Sequence, residues 1–266
     1  MWVLMMRRVA KQIPIVKNGR ASIDWVPVSH KSIVPPKKKT TAMSYLSPEE
    51  INGRHVDDTI FILGNGPSLK DTLGYKKKLR KSICISIYVA YWVIACEYIL
   101  FADLNRLGSA MYEELLRLDS HVFTSNNSRI SKWFNKYQQN MAYNGSLSAR
   151  YEDGLVNGGG SLFIAINLAY VMGAKKIIMI GCDMNNGKHF YDDMPEFHKT
   201  TFYNFVKEDN VKRNPPKRKG YKGAEIVVPV LKKTKKFLAK NDVQLINTSK
   251  NSVLCGKYVP LGKLFK

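Results

Sequence analysis

The chain has 266 residues, 45% of them hydrophobic, which suffices for one large α/β domain and excludes a disordered chain. Forty-two Lys and Arg stand against 21 Asp and Glu, a formal net charge of +21, well beyond what solubility needs. Such an excess favours a polyanionic partner (nucleic acid, an anionic membrane surface or an acidic glycan), and charge alone does not choose among the three.

The N-terminal Met1-Trp2-Val3-Leu4-Met5-Met6-Arg7-Arg8 places its apolar residues ahead of its charges and is too short for a secretory signal. No run approaches the ~18 apolar residues of a membrane span, so a soluble cytoplasmic protein is expected. Residues 1–57 read as a basic arm. Pro35-Pro36 forces an extended backbone and the adjacent Lys37, Lys38 and Lys39 repel one another. Short strands are expected at Ile13–Val16 and Ile23–Val28.

Residues 58–266 read as the catalytic domain. Thr59–Leu63 is a short apolar run ending at Gly64, the pattern of a buried parallel strand. Further strands are expected at Ile83–Ile87, at Tyr98–Ala102 closed by Asp103, and at His121–Thr124. Ser161–Met172 has helical length and composition; Gly173 stops it, and strand Ile177–Ile180 follows. A helix ending at Thr234–Lys240 and a strand at Gln244–Ile246 complete the alternation. The pattern predicts a single Rossmann-like, doubly wound, mostly parallel sheet. Residues 184–225 interrupt it as a long polar insertion, expected to be a lid. Its second half carries Lys212, Arg213, Lys217, Arg218 and Lys219 beside Pro215-Pro216. With Lys37–Lys39, these are the candidate nucleic-acid contacts.

Three segments carry the expected chemistry. Gly64-Asn65-Gly66-Pro67-Ser68 follows a strand, where glycines let backbone approach an anion and Asn65 can bond ribose, phosphate or base. It is neither the dinucleotide pattern nor a Walker loop. Asn157-Gly158-Gly159-Gly160-Ser161 stands at a helix start, a second anion-accepting nest through Gly159, Gly160 and Ser161. Gly181-Cys182-Asp183 ends a strand on an acid that can bind hydroxyls, a metal or an acceptor, and Asp103 is placed likewise. In the insertion, His189 and His198, with Tyr191 and Tyr203, are candidates for a general base and its surroundings. No spacing diagnostic of a metal site occurs. Cys84, Cys96, Cys182 and Cys255 form no C-x-x-C pair and read as free thiols.

In this order, Gly64-Asn65-Gly66-Pro67-Ser68-Leu69, the Gly-Ser helix start and Gly173-Ala174-Lys175-Lys176-Ile177-Ile178-Met179-Ile180-Gly181-Cys182-Asp183 resemble the bacterial lipooligosaccharide sialyltransferases. Asn247 to Leu254 looks like their final nucleotide-side segment, which brings in Ser249. The resemblance spans roughly residues 59–255 and extends to a wider group with pterin diphosphokinase-like and phage proteins. It implies a Rossmann-like domain with a lid and a CMP-activated sugar donor; a CMP- or UDP-linked donor and no tightly bound cofactor are expected here. It places Asn65 at the donor phosphate or sugar, Ser86 and Asp103 where the family has asparagines, and Ser161 beside the donor. The family's base histidine precedes the last long helix, where this chain reads Lys219-Gly220-Tyr221-Lys222-Gly223-Ala224. A family tyrosine is replaced by Asn185.

Joined to the charge, this reading predicts a glycosyltransferase that decorates nucleic acid, as in phage DNA base modification, working in the host cytoplasm if phage-encoded. Trp133, Tyr191 or Tyr203 could stack on a flipped base. Two alternatives are a magnesium-dependent diphosphokinase with Asp103 and Asp183 on the metal, and a glycan sialyltransferase-like enzyme. A third is a nucleic-acid-binding module without catalysis.

Overall fold

A computed structural model describes residues 12–17, 20–25, 45–102, 115, 118–125, 134–184, 189–195, 223–250, 252–254 and 257–265. The chain divides into two compact units, 1–39 and 40–266. In the first, β1 (Gln12–Lys17) and β2 (Arg20–Trp25) form an antiparallel hairpin in which Lys17 faces Arg20. The second strand lies three residues earlier than its apolar run suggests. The sequence between the strands, Asn18-Gly19, favours two-residue hairpin connections and so sets the register.

The second unit is built on an eight-stranded sheet. Its strands are β3 (Thr59–Leu63), β4 (Ile83–Ile87), β5 (Tyr98–Phe101), β6 (His121–Ser125), β7 (Asn135–Tyr137), β10 (Lys176–Ile180), β11 (Gln244–Asn247) and β12 (Lys257–Tyr258). The order is β12-β11-β10-β3-β4-β5-β6-β7 and every pairing is parallel. All six strands expected within residues 58–266 belong to this one sheet. A separate parallel pair joins β8 (Gln139–Met141) to β9 (Leu155–Asn157).

Parallel strands covered on both faces read as continuous apolar runs, and β3, β4, β5 and β10 do. Ile60, Ile62, Ile85, Ile87, Ile177 and Met179 point into one core layer. Phe61, Leu63, Cys84, Ile178 and Ile180 point into the other. The first layer is covered by α3 (Ser161–Val171) and α4 (Gly223–Lys240). Helix α3 is apolar on all sides and almost wholly buried, as a helix wedged between sheet and outer layer must be. Its one internal polar residue, Asn167, is engaged at both ends of its amide. It accepts from the amides of Ser148 (3.1 Å) and Val156 (2.8 Å) and donates to the Ser148 carbonyl (2.9 Å). The second layer is covered by short helical pieces: a 3-10 helix over Pro67–Tyr75, then α2 (Lys76–Leu79), Ala90–Trp92 and Leu261–Phe265.

Residues 45–57, polar like the arm before them but with Glu49, Glu50 and Asp57 against one arginine, pack on the sheet unit. Helix α1 (Pro48–Ile51) is started by a capping box between Ser47 and Glu50 and buries Ile51 completely. The amides of Gly53, His55 and Asp57 then donate to the carbonyls of Val171, Met172 and Gly173, at 2.9, 2.6 and 3.0 Å. They satisfy the open carbonyls at the end of α3.

Candidate functional site

Chain order reverses between β3 and β10: β4 to β7 lie on one side of β3, and β10 to β12 on the other. Such a switch point splays the loops that leave the two strands and opens a crevice at their carboxyl ends, where open α/β sheets bind ligands. The turns leaving β3 and β10 are Gly64–Ser68 and Gly181–Asp183, two of the three segments singled out by sequence.

These turns grip each other. The amide of Gly64 donates to the Ile180 carbonyl (2.7 Å) and that of Gly66 to the Gly181 carbonyl (2.6 Å). Asp183, only 4% exposed, accepts the Ser68 amide at 2.9 Å through Oδ2. A Cβ on Gly64 would stand 2.5 Å from the Gly181 oxygen and 2.8 Å from Cys182 Sγ. One on Gly66 would collide with Asp183 Oδ2 and lie 2.7 Å from the Gly181 oxygen. The close backbone approach that these glycines permit is therefore to the neighbouring turn. Gly181 itself has φ +66°, in the left-handed region that glycine enters freely.

The segment after β11 laces onto the same structure. Ser249 is buried, and its hydroxyl shares a 2.5 Å hydrogen bond with the Ser68 hydroxyl. The Ser252 hydroxyl donates to the Cys182 carbonyl (2.8 Å), and the Val253 amide to the Asp183 carbonyl (3.2 Å). Burial, with the Asp183 charge beside it, pushes the Cys182 thiol up to about 12, so it is an inert neutral group. Cys84 and Cys96 are likewise buried free thiols.

Asn65 stands at the tip of the first turn. Its Nδ2 donates to the Ile87 carbonyl (3.1 Å), while its Oδ1 is buried with no hydrogen-bond partner. The hydroxyls of Ser86, near the end of β4, and Thr124, near the end of β6, are buried in the same condition. A buried acceptor with no partner costs ~1–3 kcal/mol, so such atoms mark positions for water or ligand.

In the glycine nest before α3, Asn157 Oδ1 accepts from the amides of Gly159 (3.1 Å) and Gly160 (2.8 Å). The Phe163 amide turns back to the Gly160 carbonyl (3.0 Å). The amides of Ser161 and Leu162 are then the helix's open donors, and around Gly160 nothing lies within 4 Å of where a Cβ would be. Gln139 links this nest to the sheet: it accepts from Asn157 Nδ2 (3.1 Å) and donates to the Ala102 carbonyl (3.0 Å).

His189 comes to the lip of the crevice. The Phe190 amide after it donates to the Asn65 carbonyl at 2.8 Å. The His189 backbone is fixed by Asp192 Oδ2 (2.7 Å), and its ring stacks on Tyr191 at 4.7 Å between centroids. Burial holds the imidazole below its ordinary value, with Asp192 opposing in part, so the neutral base form is favoured near pH 7.

The structure thus gathers Gly64, Asn65, Gly66, Pro67, Ser68, Gly181, Asp183, Ser249 and His189 at the switch point. Ser86 stands in the adjacent strand, and Gly159, Gly160 and Ser161 at the start of α3. Asp103, His198, Lys37, Lys38, Lys39, Lys212, Arg213, Lys217, Arg218 and Lys219 lie outside the described residues. Sequence reasoning included Asn157 in the nest but missed the role of its side chain, and it missed Thr124 as a site position. The signal for the first was available, since Asn before glycines commonly folds its side chain onto the next amides. Among the described residues no three His, Cys, Asp or Glu side chains gather as metal ligands, and one oxygen of Asp183 is already engaged.

No protein-family model matches the chain, and none of the curated proteins matches it by sequence. Among solved structures it is similar to the sialyltransferase CstII from Campylobacter jejuni in complex with a substrate analogue, cytidine-5'-monophosphate. The two are 13% identical over 74% of this chain and 82% of that one, with a TM-score of 0.41. A point variant of the sialyltransferase Cst-II in complex with CMP is 14% identical over 73% and 82%, with a TM-score of 0.42. Among the described residues no helix is long and apolar enough to cross a membrane.

Proposed function

We propose that the chain is a glycosyltransferase that takes a CMP- or UDP-linked sugar and transfers the sugar to nucleic acid, as in modification of phage DNA bases. The observation that carries the donor site is the buried, unpartnered Asn65 Oδ1 at the tip of the β3 turn, on the switch-point crevice. It needs a donor, and a sugar hydroxyl or the exocyclic amine of cytosine supplies one. The order of motifs along the chain supports the same reading.

In this mechanism Asn65 and Ser86 orient the donor, and the open amides of Ser161 and Leu162 face its phosphate. The positive end of the α3 dipole then favours charge gathering on the leaving phosphate. Neutral His189 takes the proton of the acceptor hydroxyl as that oxygen bonds to the anomeric carbon. The bond from that carbon to phosphate breaks, and the nucleotide leaves with the electron pair. Asp183 acts by holding the turn that presents Asn65. No step uses a metal.

The test is thermal unfolding with CMP, UDP, GDP and ATP, each with and without magnesium. At a hundredfold excess over Kd, a ligand of the native state adds about 2.7 kcal/mol, roughly 5–10 °C at this chain length. CMP or UDP is expected to give that shift, and Asn65→Ala to remove it while leaving the unliganded protein folded. No shift with any pyrimidine nucleotide refutes the donor site. A donor shift without sugar transfer to DNA refutes the acceptor.

A further inference from the structure

Helix α4 has two faces. Val227, Val230, Leu231, Thr234 and Leu238 are buried against the sheet layer. Lys232, Lys233, Lys236 and Lys240 are exposed. Lys232, Lys236 and Lys240 recur every four residues and Lys233 lies beside them, three residues before Lys236, so the four share one stripe ~12 Å long at 1.5 Å per residue. No acid falls between Glu225 and Asp242, and among the described residues none of the four has a hydrogen-bond or ion-pair partner. Like charges four residues apart weaken a helix, so this stripe is a cost that an ordinary solvated face avoids by interspersing acids.

The stripe leads to the site. Helix α4 ends three residues before the edge where β11 begins, so its start lies toward the carboxyl edge of the sheet. There Ile226 is 54% and Tyr143 47% exposed. Both flank the glycine nest: a Cβ on Gly159 would lie 3.5 Å from Ile226 Cγ2 and 4.0 Å from Tyr143 Cε1. An aromatic ring stands open at the nest, and ~9 Å of helix axis further on the lysines begin.

We infer that this face is a track for single-stranded nucleic acid, with phosphates on Lys232, Lys233, Lys236 and Lys240 and a base stacked on Tyr143. A 12 Å cationic row matches a polymer better than a plane. A membrane-surface helix needs its apolar face free, and here that face is sealed in the core. An exposed ring next to a cationic groove is the usual platform for an unpaired base. That the strand is the acceptor rests on the transferase reading above; its binding does not.

The test is fluorescence anisotropy with a labelled 20-nucleotide mixed-sequence DNA strand between 50 and 200 mM salt. Four phosphate contacts contribute about −2.8 to the slope of log affinity against log salt, roughly fiftyfold over that range. Replacing the four lysines by Gln should flatten the slope by that amount. Tyr143→Ala should weaken binding on the order of tenfold at unchanged slope. A control with Lys77, Arg80 and Lys81 replaced by Gln, over the opposite core layer, should change neither. The track is overturned if the lysine variant keeps the wild-type slope, or if the control loses as much. It is equally overturned if wild type binds phosphatidylserine vesicles and not DNA. Nucleotide-induced thermal shifts should be unaltered in every variant. DNA binding without any nucleotide shift would leave the track standing and sink the transferase; the converse would sink the track alone.

Discussion

Replacing Gly66 and Gly160 separately by Ala distinguishes a glycine that holds the scaffold from one that leaves room for a ligand. At Gly66 the new methyl meets Asp183 Oδ2 and stands 2.7 Å from the Gly181 oxygen, so the two turns must part. The bonds at stake are the 2.6 Å one from the Gly66 amide to Gly181 and the 2.9 Å one from the Ser68 amide to Asp183. A neutral bond contributes about 0.5–1.5 kcal/mol and one to a charged group about 1.5–3, so the loss is roughly 2–4.5 kcal/mol. At this length each kcal/mol moves Tm by about 2–4 °C, so a fall of roughly 5–15 °C is expected. At Gly160 the methyl enters open space, and its φ of 164° is extended backbone that any residue adopts. The stability cost there is below about 1 kcal/mol. If phosphate sits on the start of α3, however, that methyl occupies its place and nucleotide affinity should fall at least tenfold. Thermal unfolding gives the first quantity and nucleotide titration calorimetry the second. A Gly66→Ala protein as stable as wild type would refute the argument that the turns are packed to contact.

The remaining expectations concern His189 and Asn167. The folded-state value of His189 lies below its unfolded one, so the unfolded chain binds more protons just below pH 6.5. Its contribution to stability is complete above the unfolded value and is lost as pH falls through the folded one. Stability curves from pH 7.5 to 5 should show a downward slope that His189→Gln removes, and transfer activity should fall over the same window. Asn167→Ala strands the buried Val156 amide and the half-buried amide and carbonyl of Ser148, and urea unfolding should report a loss of about 2–4 kcal/mol with an unchanged m-value.

The sheet was legible because its central strands are buried on both faces, which leaves uninterrupted apolar runs such as Thr59–Leu63 and Lys176–Ile180. The elements that escaped have no such signature. Strand β7 is three residues, Asn-Lys-Tyr, and β8 is Gln-Asn-Met; such runs carry no apolar pattern of their own, and their pairing is decided by the partner strands β6 and β9. The 3-10 helix over Pro67–Tyr75 buries only Leu69 and Thr72, a three-residue spacing too short to read as amphipathic. Residues 45–57 share the arm's polarity, yet Leu46 and Ile51 anchor them, and two buried residues do not shift a composition. At the site, sequence indicated that Gly64 and Gly66 must be glycine. It could not indicate that the group pressed against them is the Gly181–Asp183 turn, because that depends on β3 and β10 being neighbours.

That neighbourhood divides the labour at the crevice. Gly64, Gly66 and Ser68 of the first turn, Ile180 to Asp183 of the second, and Ser249 and Ser252 after β11 spend backbone or side-chain bonds across the three segments and lock them together. What the lock leaves unspent is Asn65 Oδ1, the Ser86 and Thr124 hydroxyls and the first amides of α3. Polar groups so left, on backbone that cannot relax to satisfy them, are preorganised for a ligand at little further entropic cost. His189 is tied to this arrangement through the 2.8 Å bond from the Phe190 amide to the Asn65 carbonyl. Asn65, proposed to hold the donor through its side chain, thus also fixes through its backbone the segment that carries the candidate base. On the proposed mechanism, a donor that settles Asn65 would settle His189 with it.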